Sequence, residues 1–368
     1  MFQRLIKNDL KENKVSMLVI GLFLLLTLTL SFAATRLTIS LTSSIERFVE
    51  TAKSPHLLQM HSGSVDRERL QNFVQQHPEI ASWQLTDFVN VEGSAIRING
   101  QDSLQDSSQD NGFSSQNQNF DFLLDQNNQP AQPQPGQVYI PLYYYNSGKI
   151  KIDDQIKVGK LQLTVKGFIR DAQMNAGLVS SKRFLISQTD LQTLKKEAFT
   201  SNENLIAFRV HKLSQISAIE QAYKNAELES NGPPMITYPT IKMINGFNDA
   251  LVILVMGLLV MAIIGITFLC MRFALLTKIQ EDLQQIAVMK VMGLPQSFIS
   301  RVYLTKYYFC LSLATIAGWG LSFLLSGPFK KQMALSMGQS PTPFYSYLLE
   351  ALVALLLLSL IHISEPTR

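Results

Sequence analysis

Long stretches without charge set the limits on what this chain can fold into. No charged residue occurs from Met17 to Ala34, from Ala250 to Met271 or from Tyr307 to Leu325. About 20 such residues cross the hydrocarbon of a bilayer, and only a helix satisfies its own backbone hydrogen bonds there. Composition agrees: 16% of residues are charged, mean hydropathy is +0.11, and a soluble domain carries roughly 25% charged residues. A cleaved leader is the rival reading of the first run, but the run exceeds the ~7–15 apolar residues of a leader core. Cys270 and Cys310 both lie in apolar runs, so no disulfide framework is expected. The net charge of +4 is small and shows no nucleic-acid footprint.

The chain divides accordingly. Residues 1–15, with Arg4, Lys7, Lys11 and Lys14 set against an apolar side, read as a cytoplasmic amphipathic helix. Spans follow at 16–35, 247–272 and 302–326, and 347–361 begins a fourth that stops short. Basic residues in the N-terminal segment and around Lys278 place the N-terminus and the 273–301 loop inside. The polar segment 36–246 and the short loop 327–346 then lie outside. Expected from pattern is a membrane α-helical protein of three full spans and a truncated fourth, with an extracytoplasmic α+β domain. The tail 358–368 reads like a translated transposon-end adapter, so a truncated chain with a non-native end is expected.

Within 36–246, Thr38 to Ala52 should continue the first helix, and His56 to His61 should be extended. Ser64 is expected to cap a helix through Gln76, and Thr189 one through Ala198. Strands are expected at Val138–Tyr145, Leu161–Ile169 and Leu205–Val210. The segment 101–137 is rich in Gln, Asn, Asp and Ser and ends in prolines. It is expected to be a flexible excursion, too poor in apolar surface to order itself. Phe120, Phe122, Leu123 and Leu124 form an apolar island within it, either a ligand-touching patch or, preferably, a tether.

The loop 273–301 carries the strongest functional pattern. Ile279, Leu283, Ile286, Met289 and Met292 recur three or four residues apart, one apolar stripe on a helix. Gly293 then stops that helix, and Pro295 starts the next. Such a helix either anchors the loop at the membrane surface or docks onto a soluble partner.

The wording of Gln285-Ile286-Ala287-Val288-Met289-Lys290-Val291-Met292-Gly293 resembles the E-I-G-V-[LM]-K-A-[LI]-G stretch of FtsX/MacB-like ABC transporter permeases. Gln285 and Ala287 depart from it. The segments VYIPLYY, IKIDDQIKVG and LQLTVKGFIRD, between Val138 and Asp171, resemble the MacB-like periplasmic core domain. The resemblance implies a multi-pass cell-membrane permease coupled to a separate ABC ATPase dimer, with a second permease half or copy beside it. ATP would bind in the partner; no cofactor is expected in this chain, which lacks a phosphate-cradling G-x-x-x-x-G-K-[ST] loop. The ATPase-coupling residues so implied are Ile279, Leu283, Gln285, Ile286, Ala287, Val288, Met289, Lys290, Met292 and Gly293. Expected work is export or extraction of a lipid, peptide or antibiotic. The alternative is FtsX-like signalling that activates an extracellular cell-wall hydrolase. No catalytic or metal site is expected: His56 and His61 lack companion ligands, and Asp66-Arg67-Glu68 reads as a charged first helical turn.

Overall fold

The computed structural model describes residues 14–100, 102–293, 295–341 and 343–363. The helix expected at 1–15 and the end of the tail therefore lie almost wholly outside the described residues. The chain forms two units, one made of the stretch ending at Thr42, Asn248–Gln332 and the stretch from Pro341, the other of Ser43–Phe247 and Met333–Ser340.

Helix α1 (Lys14–Thr51) is the first element among the described residues. Its interior lacks proline, and several of its threonines return their hydroxyls to the helix's own carbonyls. Thr29 donates to Leu25 O at 2.7 Å and Thr35 to Ser31 O at 2.9 Å. In hydrocarbon this satisfies those hydroxyls without water.

The sheet unit follows: β1 (Leu57–Ser62), α2 (Arg67–Gln76), β2 (Ile80–Val91), β3 (Ile96–Ile98), β4 (Asp102–Ser103), β5 (Asp110–Ser114), β6 (Gln137–Pro141), α3 (Leu142–Asn146), β7 (Gln155–Val158), β8 (Leu161–Ile169), β9 (Ser181–Ile186), α4 (Gln188–Leu194), β10 (Thr200–Val210), α5 (Ile216–Asn225) and β11 (Ile236–Thr237). Among the described residues the strands form one sheet in the order β11-β1-β10-β2-β5-β9-β6-β8-β7-β3-β4. Pairing is antiparallel except for β5 with β9 and β6 with β8. Helices α2 and α5 cover one end, where Phe73, Phe208 and Tyr223 meet edge to face. A second core gathers Val138, Ile140, Ile156, Leu163, Val165 and Phe184 around β6, β8 and β9.

Among the described residues four further helices follow: α6 (Tyr238–Glu281), α7 (Leu283–Val291), α8 (Gln296–Met337) and α9 (Tyr345–Ile363). Among the described residues, three helices are long and apolar enough to cross a membrane: Met17–Thr51, Tyr238–Glu281 and Tyr308–Met337. The protein is thus a membrane α-helical protein with an α+β domain. In the membrane unit, Met17, Ile20, Leu24, Leu28 and Phe32 form one face of α1 and pack on Leu311 and Ala314 of α8. Gly318 lets the two helices approach: a Cβ there would lie 3.1 Å from Leu28 Cβ. At Gly320 nothing lies within 4 Å, so only one of the two glycines beside Trp319 serves packing.

Several sequence expectations need correction. The segment 101–137 is no excursion. Strand β5 inserts between β2 and β9, and Leu104, Phe113, Phe120, Leu123, Leu124 and Ala131 are buried. Its amides bond to the fold instead of to water. Gln116 Nε2 donates to Leu123 O at 3.0 Å while its Oε1 accepts from Leu123 N at 3.1 Å. Gly112 is required, because a Cβ there would run into the Phe88 ring. The island acts as a tether, with Phe122 alone half-buried.

The loop expected at 327–346 is mostly helical: α8 runs through Pro328 to Met337. Proline forfeits one backbone bond but does not end a helix whose flanks are held by packing, here Ser322, Ser326 and Met333, all buried. The α2 cap is Asp66 and not Ser64; its carboxylate accepts from Arg69 N at 3.1 Å. Ser187, two residues before Thr189, caps α4. Strand β6 stops at Pro141, from which α3 starts.

His56 shows why extended histidines here are structural. Its Nδ1 accepts from Val210 N at 3.0 Å, and its ring meets the edge of Tyr238 at 5.2 Å. Burial, with the Arg209 charge, pushes its pKa down to about 4. The fold therefore holds the neutral ring, while the unfolded chain protonates near ~6.5. Stability from this group is complete above pH ~6.5 and is lost as pH falls from there toward 4. The protection factor of the Val210 amide should fall across that window. In His56→Asn, which keeps an acceptor but cannot titrate, this fall should disappear; a slope equal to wild type would assign it to another group.

Candidate functional site

Two places combine unusual geometry with sequence pattern: the turn between α6 and α8, and a polar cluster in the membrane unit. At the turn, α6 ends at Glu281 and Asp282 breaks the helix at φ −95°, ψ 13°. Helix α7 starts at once, with Ile286 N donating to Asp282 O at 2.9 Å. It closes with Met292 N on Val288 O and Gly293 N on Lys290 O, both at 3.0 Å. Gly293 sits at φ +80°, a conformation L side chains adopt only with strain. So the stop expected at Gly293 is where the chain turns, and α8 begins just after Pro295.

The expected single stripe does not form. The Asp282 break takes Ile279 off the helix that carries Leu283 to Met292. On α7, Lys290 lies seven residues after Leu283 and four after Ile286, a spacing that puts all three on one side. Val288 and Val291 turn away from that side and are 58% and 89% exposed. Leu283 and Met292 are 57% and 66% exposed, Ala287 and Lys290 are exposed, and Ile279, Ile286 and Met289 are half-buried. Gln285 lies within α7; its side chain falls outside the described residues. The periodicity counted the apolar residues of one row and passed over Val288 and Val291. The helix is apolar nearly all round, which is the pattern of a helix covered on more than one side.

The membrane unit holds a feature the sequence reading missed. Arg36 on α1 and Glu350 on α9 are both 2% exposed. Their contact is bidentate: Nε donates to Oε1 at 2.9 Å and Nη2 to Oε2 at 2.8 Å. Arg36 Nη1 donates to Ser322 Oγ at 3.0 Å, and Ser322 donates onward to Trp319 O at 2.7 Å. Trp319 Nε1 donates to Glu350 Oε2 at 2.9 Å. The guanidinium lies 3.6 Å from the Phe323 ring centre, a cation–π stack. Arg36 directly follows the first apolar run and Glu350 sits inside the last. Ionisable residues in such runs call for a named partner, and that signal was available.

Neither place offers reaction chemistry. The Arg36–Glu350 donors and acceptors are consumed by one another. Among the described residues, no three His, Cys, Asp or Glu side chains gather to hold a metal. The sheet unit has a cleft of about 590 Å³ between Gln116, Phe122, Pro133 and Gln188, and no charged side chain lines it.

No curated protein matches. The structure is similar to the periplasmic region of MacB from Actinobacillus actinomycetemcomitans, at 9% identity and a TM-score of 0.29, over 54% of this chain and 96% of that one. Residues 257–368, which contain most of α6 and all of α7, α8 and α9, match the family model described as FtsX-like permease C-terminal. That segment is therefore similar to the C-terminal part of FtsX-like permeases.

Proposed function

We propose that the chain is the permease subunit of an ABC transporter in which α7 receives the movement of a separate ATPase dimer. The N-terminus and the α6–α8 turn face the cytoplasm, and the α+β unit lies outside. ATP binds and is hydrolysed in the partner, and a second permease half or copy completes the assembly. The work delivered is export or extraction of a lipid, peptide or antibiotic. The supporting observation is a nine-residue helix bounded by breaks at Asp282 and Gly293, bearing exposed apolar side chains within the FtsX-like segment. Its all-round apolar surface suits contact with the bilayer surface on one side and with the ATPase on another.

Burial of Ile286 and Met289 by the partner contributes on the order of 1.5–3 kcal/mol each. The double variant Ile286→Asp/Met289→Asp forfeits this and sets carboxylates against an apolar cleft. It should insert normally, since no span is altered, and lose at least ~10-fold in ATPase association, each ~1.4 kcal/mol being tenfold. Gly293→Val should uncouple turnover from association: a Cβ meets nothing within 4 Å, so its effect comes only from backbone strain of roughly 1–2 kcal/mol. Co-purification of the double variant with the ATPase at wild-type yield would move the coupling surface elsewhere.

A further inference from the structure

Three helices that carry membrane spans have an end in the sheet unit: α1 stops at Thr51, α6 starts at Tyr238 and α8 stops at Met337. All three ends are tied to two short stretches of that unit, 120–128 and 170–176. At the foot of α1, Phe122 N donates to Ala52 O at 2.7 Å and Asp121 N to Lys53 O at 3.0 Å. On the first turns of α6, Asn245 Nδ2 donates to Ala172 O. At the end of α8, Asn175 Nδ2 donates to Ser336 O at 3.1 Å.

Arg170 joins these stretches. Its Nε donates to Leu335 O at 2.8 Å and its Nη2 to Ala334 O at 3.3 Å, the last carbonyls of α8. Its Nη1 reaches Asp125 O, Gln126 O and Asn128 Oδ1, at 2.9, 3.1 and 2.7 Å. Its backbone pairs with Leu124 in both directions, at 2.7 and 3.1 Å. The side chain is buried, at 5% exposed. Where α8 ends, Gly338 at φ +87° comes so close to Asn128 that a Cβ would collide with its amide. The neighbouring Asp171 is clamped to Arg183, which also holds Asp121 beside the α1 contact. One buried, extensively hydrogen-bonded polar patch therefore receives the ends of these three helices.

We infer that Arg170 is a positioning residue, the link through which displacement of α8 is passed into the sheet unit and onto the foot of α1. A planar guanidinium suits this role because its donors fix two acceptor groups at a set angle, which a lysine ammonium does not. A loose contact at the same place would let α8 slide without moving the sheet. The inference rests on the transporter reading above.

The test uses the full chain assembled with its ATPase, spin labels at Gln155 and Lys331, and distance distributions with and without MgATP–vanadate. Wild type should show a nucleotide-dependent shift of the distance. In Arg170→Gln the complex should assemble and hydrolyse ATP at its basal rate while the shift is lost, and Arg170→Lys should regain only part of it. Should Arg170→Gln not fold, Asn175→Ala, which removes only the Ser336 tie, should reduce the shift. A wild-type shift retained in Arg170→Gln, whatever its loss of thermal stability, would make Arg170 a plain helix cap and overturn the inference alone. Absence of any shift in the wild-type complex would instead overturn the transporter reading and the inference with it.

Discussion

Arg36→Met with Glu350 left in place should cost the membrane unit about 3–5 kcal/mol, the usual penalty for removing one partner of a buried ion pair. The carboxylate would keep its Trp319 donor but lose two charge-assisted bonds and the Arg36 guanidinium. Water cannot replace them at 2% exposure. The variant Glu350→Leu should cost a similar amount, because Arg36 would retain only Ser322 and the Phe323 face. The double variant Arg36→Met/Glu350→Leu should recover most of the loss, since two apolar side chains of similar volume carry no desolvation cost. Unfolding by SDS titration in detergent reads all three. A loss in the double variant equal to the sum of the two single losses would mean that the pair contributes packing and no electrostatic coupling. If the double variant is stable yet poorly coupled to ATP turnover, the pair serves specificity of helix arrangement.

A second large effect is expected at Arg183, which is 1% exposed in β9. It donates to both Asp171 oxygens, at 2.7 and 2.9 Å, and to Asp121 Oδ2 at 3.1 Å. Burial raises the Asp121 carboxyl, against the pull of Arg183 and with the repulsion of Asp171 added. Burial acts on Asp171 in the same sense, but the Arg183 charge and its hydrogen bonds, joined by the Gln173 and Met174 amides, hold it below the ordinary value. Arg183→Met leaves two buried carboxylates facing each other, and a loss of about 3–5 kcal/mol follows. With the cation gone, burial and mutual repulsion push both groups up. Groups raised in the fold contribute stability below their unfolded pKa and lose it as pH rises. The destabilisation relative to wild type should therefore be smaller at pH 5 than at pH 8. Arg183→Lys should fall between, having charge without the fork. A pH-independent difference in melting temperature would show that the carboxylates are not the cause.

The helices were legible because lipid solvation leaves charge-free runs, and the alternation of β8 was legible because Leu163 and Val165 face the core while Gln162 and Lys166 do not. Composition misled at 101–137. An average over the segment hides that Phe113, Phe120 and Leu123 each find a place in the sheet unit, and that Gln116 and Asn117 are bonded to neighbours in the chain. At α7 the position of the Gly293 turn was readable from the residue type, whereas the break at Asp282 carried no comparable mark. The Arg36–Glu350 pair lies 314 residues apart in the chain, and no local pattern spans such a distance. Arg170 directly follows the strand expected at Leu161–Ile169, and four of its five acceptors are main-chain carbonyls, which have no side-chain signature.

The strand order has a consequence for synthesis of the protein. Strand β10 lies between β1 and β2, so the edge that each of these early strands turns to it stays unpaired until residues 200–210 leave the ribosome. At ~5–20 residues/s this delay is on the order of 10 s. For that time both present open edges, and an open edge is a template for pairing with other chains. The contacts of Arg170 with Ala334 and Leu335 come later still, after α8 is made. The sheet unit thus completes itself only after the third long membrane helix has been made, and until then the nascent chain depends on whatever shields its edges.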